Sequence, residues 1–513
     1  MKSKLFLLIS LLLLIQAVVV FAEENENTVY IIREIEFDVI GRSRPYYLIL
    51  AGEFTADERI KGRENFDKYL SRKTQLLRNR RVLEEVNIDY SFGETEEDGA
   101  LPVKLLVHIK DTFNFIVLPY PKYDSNDGFS LTLKGRDYNF LGTMEPLRVD
   151  LGYKLEDGHH SFNFMVDSDI PFRFKGLDFV FNFDHLFEYS YVEPLYYQNV
   201  TGLSVNLPMK YASFTTGFNQ YLTINEKLDS DNPSAGYFDP YASTEIFGSW
   251  GIPLGVTVSE FGDMYYTPRI SGRINYPYSK MNDDKKPVTT FSHSVGFGRI
   301  NWIGNFRKGL EASVWNAVNY YFDRSDAPLK VSLEAGGTFH WPFNKIIGVS
   351  TRLKYRQWWQ WSDSSKDWVP HDNSGDVLRG IINDEIHADF MLSLNLDFPI
   401  RIIRFWPSEC SNNRKYRLFD FEVFFSPFLD LALLKGPYNE LKDNPWEGTK
   451  FNFKDMAATT GFEIIVYPGF FRSLYIRGSL GYDINKIRRD GLPLKWKIFP
   501  QWNEIYIGVE LYY

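Results

Sequence analysis

Cysteine is almost absent from this sequence: Cys410 is the only one in 513 residues. A single thiol excludes an intramolecular disulfide framework and a zinc site made of several cysteines. The chain also lacks the Gly-x-Ser-x-Gly, His-Glu-x-x-His and Gly-Lys-Ser/Thr motifs of hydrolases and phosphate-binding enzymes. Its formal net charge of −9 argues against a nucleic-acid partner. We therefore predict no enzymatic activity, no cofactor, no metal site and no nucleic-acid ligand.

Long hydrophobic runs are missing after residue 22, which excludes membrane-spanning helices from the rest of the chain. Residues 1–22 differ, because Lys2 and Lys4 precede a long apolar run that ends at Val20-Phe21-Ala22. A positive start, an apolar run and a terminal cleavage position predict a signal peptide. The run is slightly long, so an uncleaved membrane anchor is the alternative.

Aromatic residues are abundant, with 43 Phe and 32 Tyr, and such side chains favour the pleated surface of a sheet. Residues 29–112 nevertheless contain the clearest helical segment of the chain, NFDKYLSRKTQLLRNRRVLEE, which is rich in good helix formers. Alternating segments precede and follow it, and the last two are joined by an acidic, glycine-containing loop. The order β-α-α-β-β predicts a small α+β domain.

Residues 113–513 consist mainly of alternating segments separated by polar loops. In one of them Arg352, Lys354 and Arg356 share a face, and the opposite face is apolar. Long strands that are apolar outside, polar inside and flanked by aromatic residues are typical of transmembrane β-barrels. A soluble sandwich is the alternative, but such charges would be costly in its dry core. The length predicts an antiparallel barrel of about 16 strands, an even number, with an ambiguity of about two strands between residues 197 and 280.

Four sequence features follow one another in a distinctive order. They are LLRNRRVLEEVNIDYSF at 76–92, RDYNFLGT at 136–143, LRGI at 378–381, and a chain end with Gly508 five positions before Tyr513. They resemble a POTRA helix and strand, a barrel turn, an Arg-Gly loop and an assembly signal of the BamA/TamA outer-membrane superfamily. The resemblance assigns two groups of residues: Asp137, Asn139, Phe140, Leu141 and Gly142 to the barrel turn, and Gly508, Leu511 and Tyr513 to the C-terminal assembly signal.

The resemblance also implies a loop latch. In this superfamily the Arg-Gly loop folds back into the barrel lumen, where its arginine meets acidic groups on the wall. Arg379 would be that arginine, since a guanidinium can bind a carboxylate with two hydrogen bonds. Gly380 would allow the tight turn, and Asp430 would be the acidic partner. The position of a second acidic partner falls on Asn395, so we expect a latch with one charge fewer than in the superfamily. Ile381 replaces its usual aromatic residue.

The function implied by the resemblance is outer-membrane protein assembly or translocation. The POTRA domain, in the periplasm, would receive unfolded clients by β-augmentation. A weak seam between the first barrel strand, near 114–120, and the last, near 501–513, would then insert them into the bacterial outer membrane. The expected partners are the outer-membrane lipid bilayer, unfolded outer-membrane protein clients, and periplasmic chaperones or accessory subunits. A substrate-specific secretion pore or passive channel, and a surface-exposed structural antigen, are the alternatives.

Overall fold

The computed structural model divides into two units, which are described separately. The described residues are 28–124, 128–156, 159–190, 196–225, 241–258, 261–277, 287–322, 329–360, 377–381, 390–410, 414–435, 456–469, 474–485, 487 and 503–511. The first unit runs up to Asn114 and includes Tyr138–Met144, and the second covers Phe115–Asp137 and Glu145–Tyr513. The predicted signal peptide at 1–22 lies outside the described residues.

The first unit is a four-stranded sheet with two helices. Its elements are β1 (Val29–Ile40), α1 (Pro45–Ala51), β2 (Arg59–Lys61), α2 (Arg63–Asn79), β3 (Leu83–Phe92) and β4 (Ala100–Asp111). The strand order is β2-β1-β4-β3, with β1 parallel to β4. The predicted β-α-α-β-β order lacked β2, because three residues are too few to show an alternating pattern. Neither helix here is long and apolar enough to cross a membrane, nor is any other in the described ranges.

The core of the first unit lies between the sheet and α2. On α2 the buried residues Phe66, Tyr69, Lys73 and Leu77 are three or four positions apart, as one face of a helix requires. The ring of Phe66 stacks on that of Tyr30 of β1, with centroids 4.6 Å apart. Burial of this single stripe, which is apolar except for Lys73, therefore holds the helix on the sheet.

The second unit is a closed antiparallel barrel in which strands pair with their neighbours along the chain, except that β18 pairs with β20 and that β23 closes the barrel on β5. Its strands are β5 (Phe115–Asp124), β6 (Gly128–Asp137), β7 (Leu147–Glu156), β8 (His159–Phe174), β9 (Leu177–Ser190), β10 (Tyr196–Pro208), β11 (Ser213–Asn225), β12 (Tyr241–Thr257), β13 (Asp263–Pro277), β14 (Val288–Ile303), β15 (Phe306–Tyr321), β16 (Leu329–Pro342), β17 (Gly348–Gln360), β18 (Phe390–Asp397), β19 (Ile400–Phe405), β20 (Phe421–Lys435), β21 (Ala457–Pro468), β22 (Leu474–Asp483) and β23 (Asn503–Leu511). A short helix, α3 (Pro407–Cys410), follows β19.

The described barrel has 18 strands, because β18 and β19 pair with the same neighbour, β20, and form one strand interrupted at Phe398-Pro399. Proline has no amide hydrogen to donate, which explains the break in the ladder. The prediction of about 16 strands is therefore wrong by two, while the even number is confirmed. The ambiguous region between 197 and 280 contains all or nearly all of β10, β11, β12 and β13.

The two faces of the barrel wall differ as the alternation predicted. Large apolar side chains are exposed on the outer face, among them Leu151, Phe218, Ile270, Leu353, Ile464 and Ile476. Small or charged polar side chains are buried on the inner face, among them Ser243, Ser332, Ser393, Asp430, Thr459 and Glu463. An apolar exterior around a polar interior is the reverse of a soluble sandwich, and it fits a lipid-facing wall.

Candidate functional site

The Arg-Gly segment lies against the inner wall of the barrel. An apolar cluster anchors it, in which Val377, Leu378 and Ile381 are buried against side chains of three wall strands. These wall residues are Met391 of β18, Ala432 and Leu434 of β20, and Ala457 of β21. Ile381, which departs from the aromatic residue expected here, is only 5% exposed within this cluster. An aliphatic side chain thus supplies the packing at this end of the segment.

Arg379 and Asp430 are brought together by this packing. Nε of Arg379 donates to Oδ2 of Asp430 at 2.9 Å and Nη2 donates to Oδ1 at 2.7 Å, so the contact is bidentate. The backbone N–H of Arg379 donates to the same carboxylate at 3.1 Å. The guanidinium carbon also lies 3.9 Å from the ring centroid of Phe428, two residues earlier on β20. Asp430 is fully buried, so this arginine supplies the counter-charge that its carboxylate needs.

Two further carboxylates, which the sequence analysis missed, complete the site. Nη1 of Arg379 donates to Asp397 at 2.6 Å and to Glu463 at 3.1 Å. Glu463 also accepts a hydrogen bond from Arg477 of β22 at 3.1 Å. Carboxylates from β18, β20 and β21 therefore converge on one guanidinium. The charge missing at Asn395 is present two residues later on the same face, at Asp397.

The side chain of Asn395 holds the Arg-Gly segment by a hydrogen bond to the backbone of that segment. Its Nδ2 donates to the carbonyl oxygen of Val377 at 2.7 Å, and its Oδ1 accepts from Nε of Arg352 at 3.2 Å. On the ladder Asn395 is paired with Asp430 on one side and with Arg352 on the other. An amide suits this position because it donates to the loop and accepts from the wall, which a carboxylate cannot do.

Gly380 occupies a position that only glycine fits. Its φ is +105°, and a Cβ atom there would lie 2.5 Å from the backbone nitrogen of Tyr482 on β22. The wall residue Gly481 is constrained by the same contact, since its Cβ would lie 2.5 Å from the nitrogen of Gly380. Two glycines therefore let the segment touch the backbone of the wall.

We expect Gly380→Ala to destabilise the segment by roughly 1–3 kcal/mol, because of the strained φ and the overlap with Tyr482. Limited proteolysis of the full chain in detergent should detect this as faster cleavage near residues 377–381. Gly478→Ala on the same strand is the matched control, since a Cβ there meets nothing within 4 Å. Equal cleavage of the two variants would contradict the close approach.

The barrel-turn motif has a separate environment. Asp137 ends β6, and Tyr138–Met144 belongs to the first unit. Within that unit, the fully buried Asn139 donates to Ser43 Oγ at 2.8 Å and to Asp111 Oδ2 at 3.0 Å. The following residues form a short 3₁₀ turn, Phe140–Gly142, in which Leu141 and Gly142 both have positive φ. The carbonyl oxygen of Gly142 accepts from the backbone N–H of Arg44 at 3.0 Å.

Asn139→Ala should loosen this turn, because it leaves the half-buried Asp111 and the buried Ser43 with fewer partners, at a cost of about 1–3 kcal/mol. Hydrogen exchange of the full chain should show faster exchange of the amides at 138–144 and near Ser43. Asn65→Ala is the control, because Asn65 makes its one side-chain bond, to the Lys61 carbonyl, on the surface. Unchanged exchange at 138–144 would refute the role of Asn139.

The assignments at the chain end are described only in part. Gly508 lies in β23, where it is buried and pairs with Arg477 of β22, and Leu511 pairs with Leu474. Tyr513 lies outside the described residues. The C-terminal assembly signal therefore stays a prediction.

Comparison with known proteins gives structural matches alone, since no protein-family model and no curated protein matches the chain. The chain is similar to CdiB from Acinetobacter baumannii (12% identity, TM-score 0.48, covering 94% of this chain and 74% of that one). It is similar to CdiB from Escherichia coli (13% identity, TM-score 0.49, covering 94% of this chain and 76% of that one). It is also similar to BamA from Haemophilus ducreyi lacking POTRA domains 1–3 (14% identity, TM-score 0.39, covering 94% of this chain and 84% of that one). A BamA structure and two CdiB structures are thus among the solved structures that the chain resembles.

Proposed function

We propose that the protein is an outer-membrane assembly or translocation factor that inserts client strands through a lateral seam of its barrel. The seam between β23 and β5 carries this proposal. In the described residues these strands pair only at Tyr506–Asp124 and Ile507–Tyr123. On its other edge, β23 pairs with β22 continuously from Leu474–Leu511 to Tyr482–Asn503. The barrel is therefore closed most weakly where its first and last strands meet.

A short seam leaves strand edges with amide groups that need partners. Unpaired amides are costly inside a bilayer, where no water can satisfy them. β5 pairs with β6 along its whole length, from Phe115–Asp137 to Asp124–Gly128, so its vacant hydrogen-bonding edge is the one that faces β23. Pro119 and Pro121 of β5 have no amide hydrogen, so this edge offers fewer donors than its length suggests. A client strand that adds to it satisfies the remaining amide and carbonyl groups and most of its own. The driving force is then client folding and lipid burial, and no nucleotide is needed.

The first unit offers a second place for an extended client. In its sheet β3 is an edge strand that pairs with β4 alone. An open edge of ten residues, Leu83–Phe92, can accept a strand by β-augmentation. We place this unit in the periplasm as a POTRA domain and the barrel in the outer membrane. Its apolar outer face would contact the lipid, and unfolded outer-membrane proteins, with or without periplasmic chaperones, would be its clients.

A substrate-specific secretion pore is the second candidate. A barrel of 18 strands is wide enough for an aqueous channel, and a segment fixed to its inner wall by Arg379 is a suitable gate. In this case the latch would control conductance, and the seam would have no part in the function.

Purified protein in proteoliposomes distinguishes the two candidates. We expect it to accelerate the folding of an unfolded outer-membrane barrel, scored by protease protection, with several unrelated clients. Liposomes containing a conventional porin are the control for the mere presence of a barrel. A clear ion conductance without acceleration of any client would refute insertion and favour the pore.

A further inference from the structure

Next to the latch, the inner wall encloses a cavity of about 260 Å³. It lies between the turn at Asn305 and the site of Arg379, against β15, β16 and β17. Each of these strands contributes one basic side chain to it: Arg307 from β15, His340 from β16 and Arg352 from β17. The space is large enough for a phosphate-sized ion with several waters.

The cavity wall carries an excess of positive charge. Four arginines line it, Arg307, Arg352, Arg379 and Arg477, and its two carboxylates are those of Asp397 and Glu463. Both carboxylates already accept hydrogen bonds from Arg379, which also neutralises Asp430. The carboxylates of this region are therefore already bonded to Arg379 of the latch.

Arg307 and Arg352 are the cations that remain. In the part of the chain that the structure describes, no carboxylate lies within 4 Å of either guanidinium. Arg352 donates to the neutral Asn395 through Nε, and Arg307 lies beside the ring of Trp302, 5.5 Å from its centroid. Two carboxylates stand nearby but are otherwise bonded: Glu311 accepts from Thr338, and Glu422 accepts from Arg401 and Asn305.

His340 adds a neutral hydrogen-bonding group between the two arginines. It is 5% exposed, and its Nδ1 lies 2.7 Å from the hydroxyl of Ser350 on β17. With that hydroxyl as donor to Nδ1, the ring carries its proton on Nε2 and can donate to a ligand. Two guanidinium groups and one further donor that line the same partly desolvated cavity are the chemistry that binds an oxyanion.

We propose that this cavity binds one oxyanion, a phosphate or a carboxylate, between Arg307 and Arg352, with His340 as an additional donor. The site does not depend on insertase activity, since either candidate function could use it. An anion here balances the charge of the wall beside the latch, so its binding stabilises the barrel with the latch closed.

Calorimetric titration of the full chain in a zwitterionic detergent tests the proposal, with inorganic phosphate as the first probe at constant ionic strength. A short peptide with a free terminal carboxylate and its amidated form are the second and third probes. We expect saturable binding of phosphate, of the free-acid peptide, or of both, and none of the amidated peptide. Binding by phosphate alone identifies a phosphate site, and binding by the free-acid peptide alone identifies a site for a chain end.

Arg307→Gln and Arg352→Gln should each weaken binding at least about tenfold, which corresponds to the loss of one charge-assisted contact. Arg307→Gln is the decisive variant, because Arg307 makes no hydrogen bond to the latch or to Asn395. Lys354→Gln is the matched control: it removes a cation from the same face of β17, outside the cavity. No saturable binding of any probe, or equal binding by wild type and both arginine variants, would overturn the proposal.

Discussion

A disulfide across the β5–β23 seam should stop client insertion and leave the barrel folded. Tyr123 and Ile507 are direct partners on the ladder, at the short Cα spacing of antiparallel pairs, so Tyr123→Cys with Ile507→Cys can form the bond. The native Cys410 is exposed and should first become Ser, to avoid mispairing. Because insertion requires the two strands to separate, we expect acceleration of client folding to fall to that of empty liposomes on oxidation. A reductant should restore it.

The control bond joins β22 to β23, through Ile476→Cys and Val509→Cys, which are partners on the adjacent, continuous ladder. This bond constrains the same strand without locking the seam, so client folding should stay as fast as in the reduced protein. Full activity of the oxidised seam variant would show that insertion does not use the seam. A pore would conduct in both oxidised forms.

Arg379→Ala should have the largest effect on the barrel itself. It leaves the fully buried Asp430 without its bidentate partner, and Asp397 and Glu463 each lose a hydrogen bond. Removal of one partner from a buried ion pair costs about 3–5 kcal/mol. We expect a lower thermal midpoint in detergent, rapid proteolysis near residues 377–381 and altered conductance. The thermal midpoint of Arg379→Lys should lie between those of the wild type and Arg379→Ala, since an ammonium cannot make the bidentate contact.

Arg404→Ala is the matched control, because Arg404 is 42% exposed and pairs with Glu409 on the surface. Its second partner, Glu422 at 3.5 Å, keeps the closer Arg401 at 2.9 Å. Exposed pairs contribute about 0–1 kcal/mol, so its thermal midpoint should hardly move. Adding Asp430→Asn to Arg379→Ala should recover part of the lost stability, because it removes the unpaired charge. Similar midpoints for Arg379→Ala and Arg404→Ala would contradict the latch.

The barrel could be predicted from the sequence because a period of two separates an apolar outer face from a polar inner face in the long strands. The number of strands could not be predicted, because the alternation continues through tight turns and hides where one strand ends and the next begins. Between β8 and β9, for example, only Lys175 and Gly176 separate Phe174 from Leu177, and all the flanking residues pair. The interruption at Phe398-Pro399 adds the opposite ambiguity, since one strand appears as two.

The latch was predictable only in part. The resemblance placed Arg379 beside Asp430, and Asp397 had a signal, since it shares the face of Asn395 two residues earlier. Glu463 had none. It belongs to β21, and its height in the lumen depends on the register with β20, where Ser426 is its partner. A shift of one residue would turn its side chain to the lipid, and no local pattern fixes that register.

Photo-crosslinking to a client stalled during folding tests strand addition at the seam most directly. A photoreactive residue replaces Val117, exposed on the outer face of β5, or Phe291, exposed on the outer face of β14. β14 pairs fully with both neighbours at Phe291, with Ile270 and with Val318. The proposal predicts a crosslink from position 117 that disappears when the client is released, and none from position 291. Equal crosslinks from both positions, or none from position 117 while the client folds, would contradict insertion through the seam.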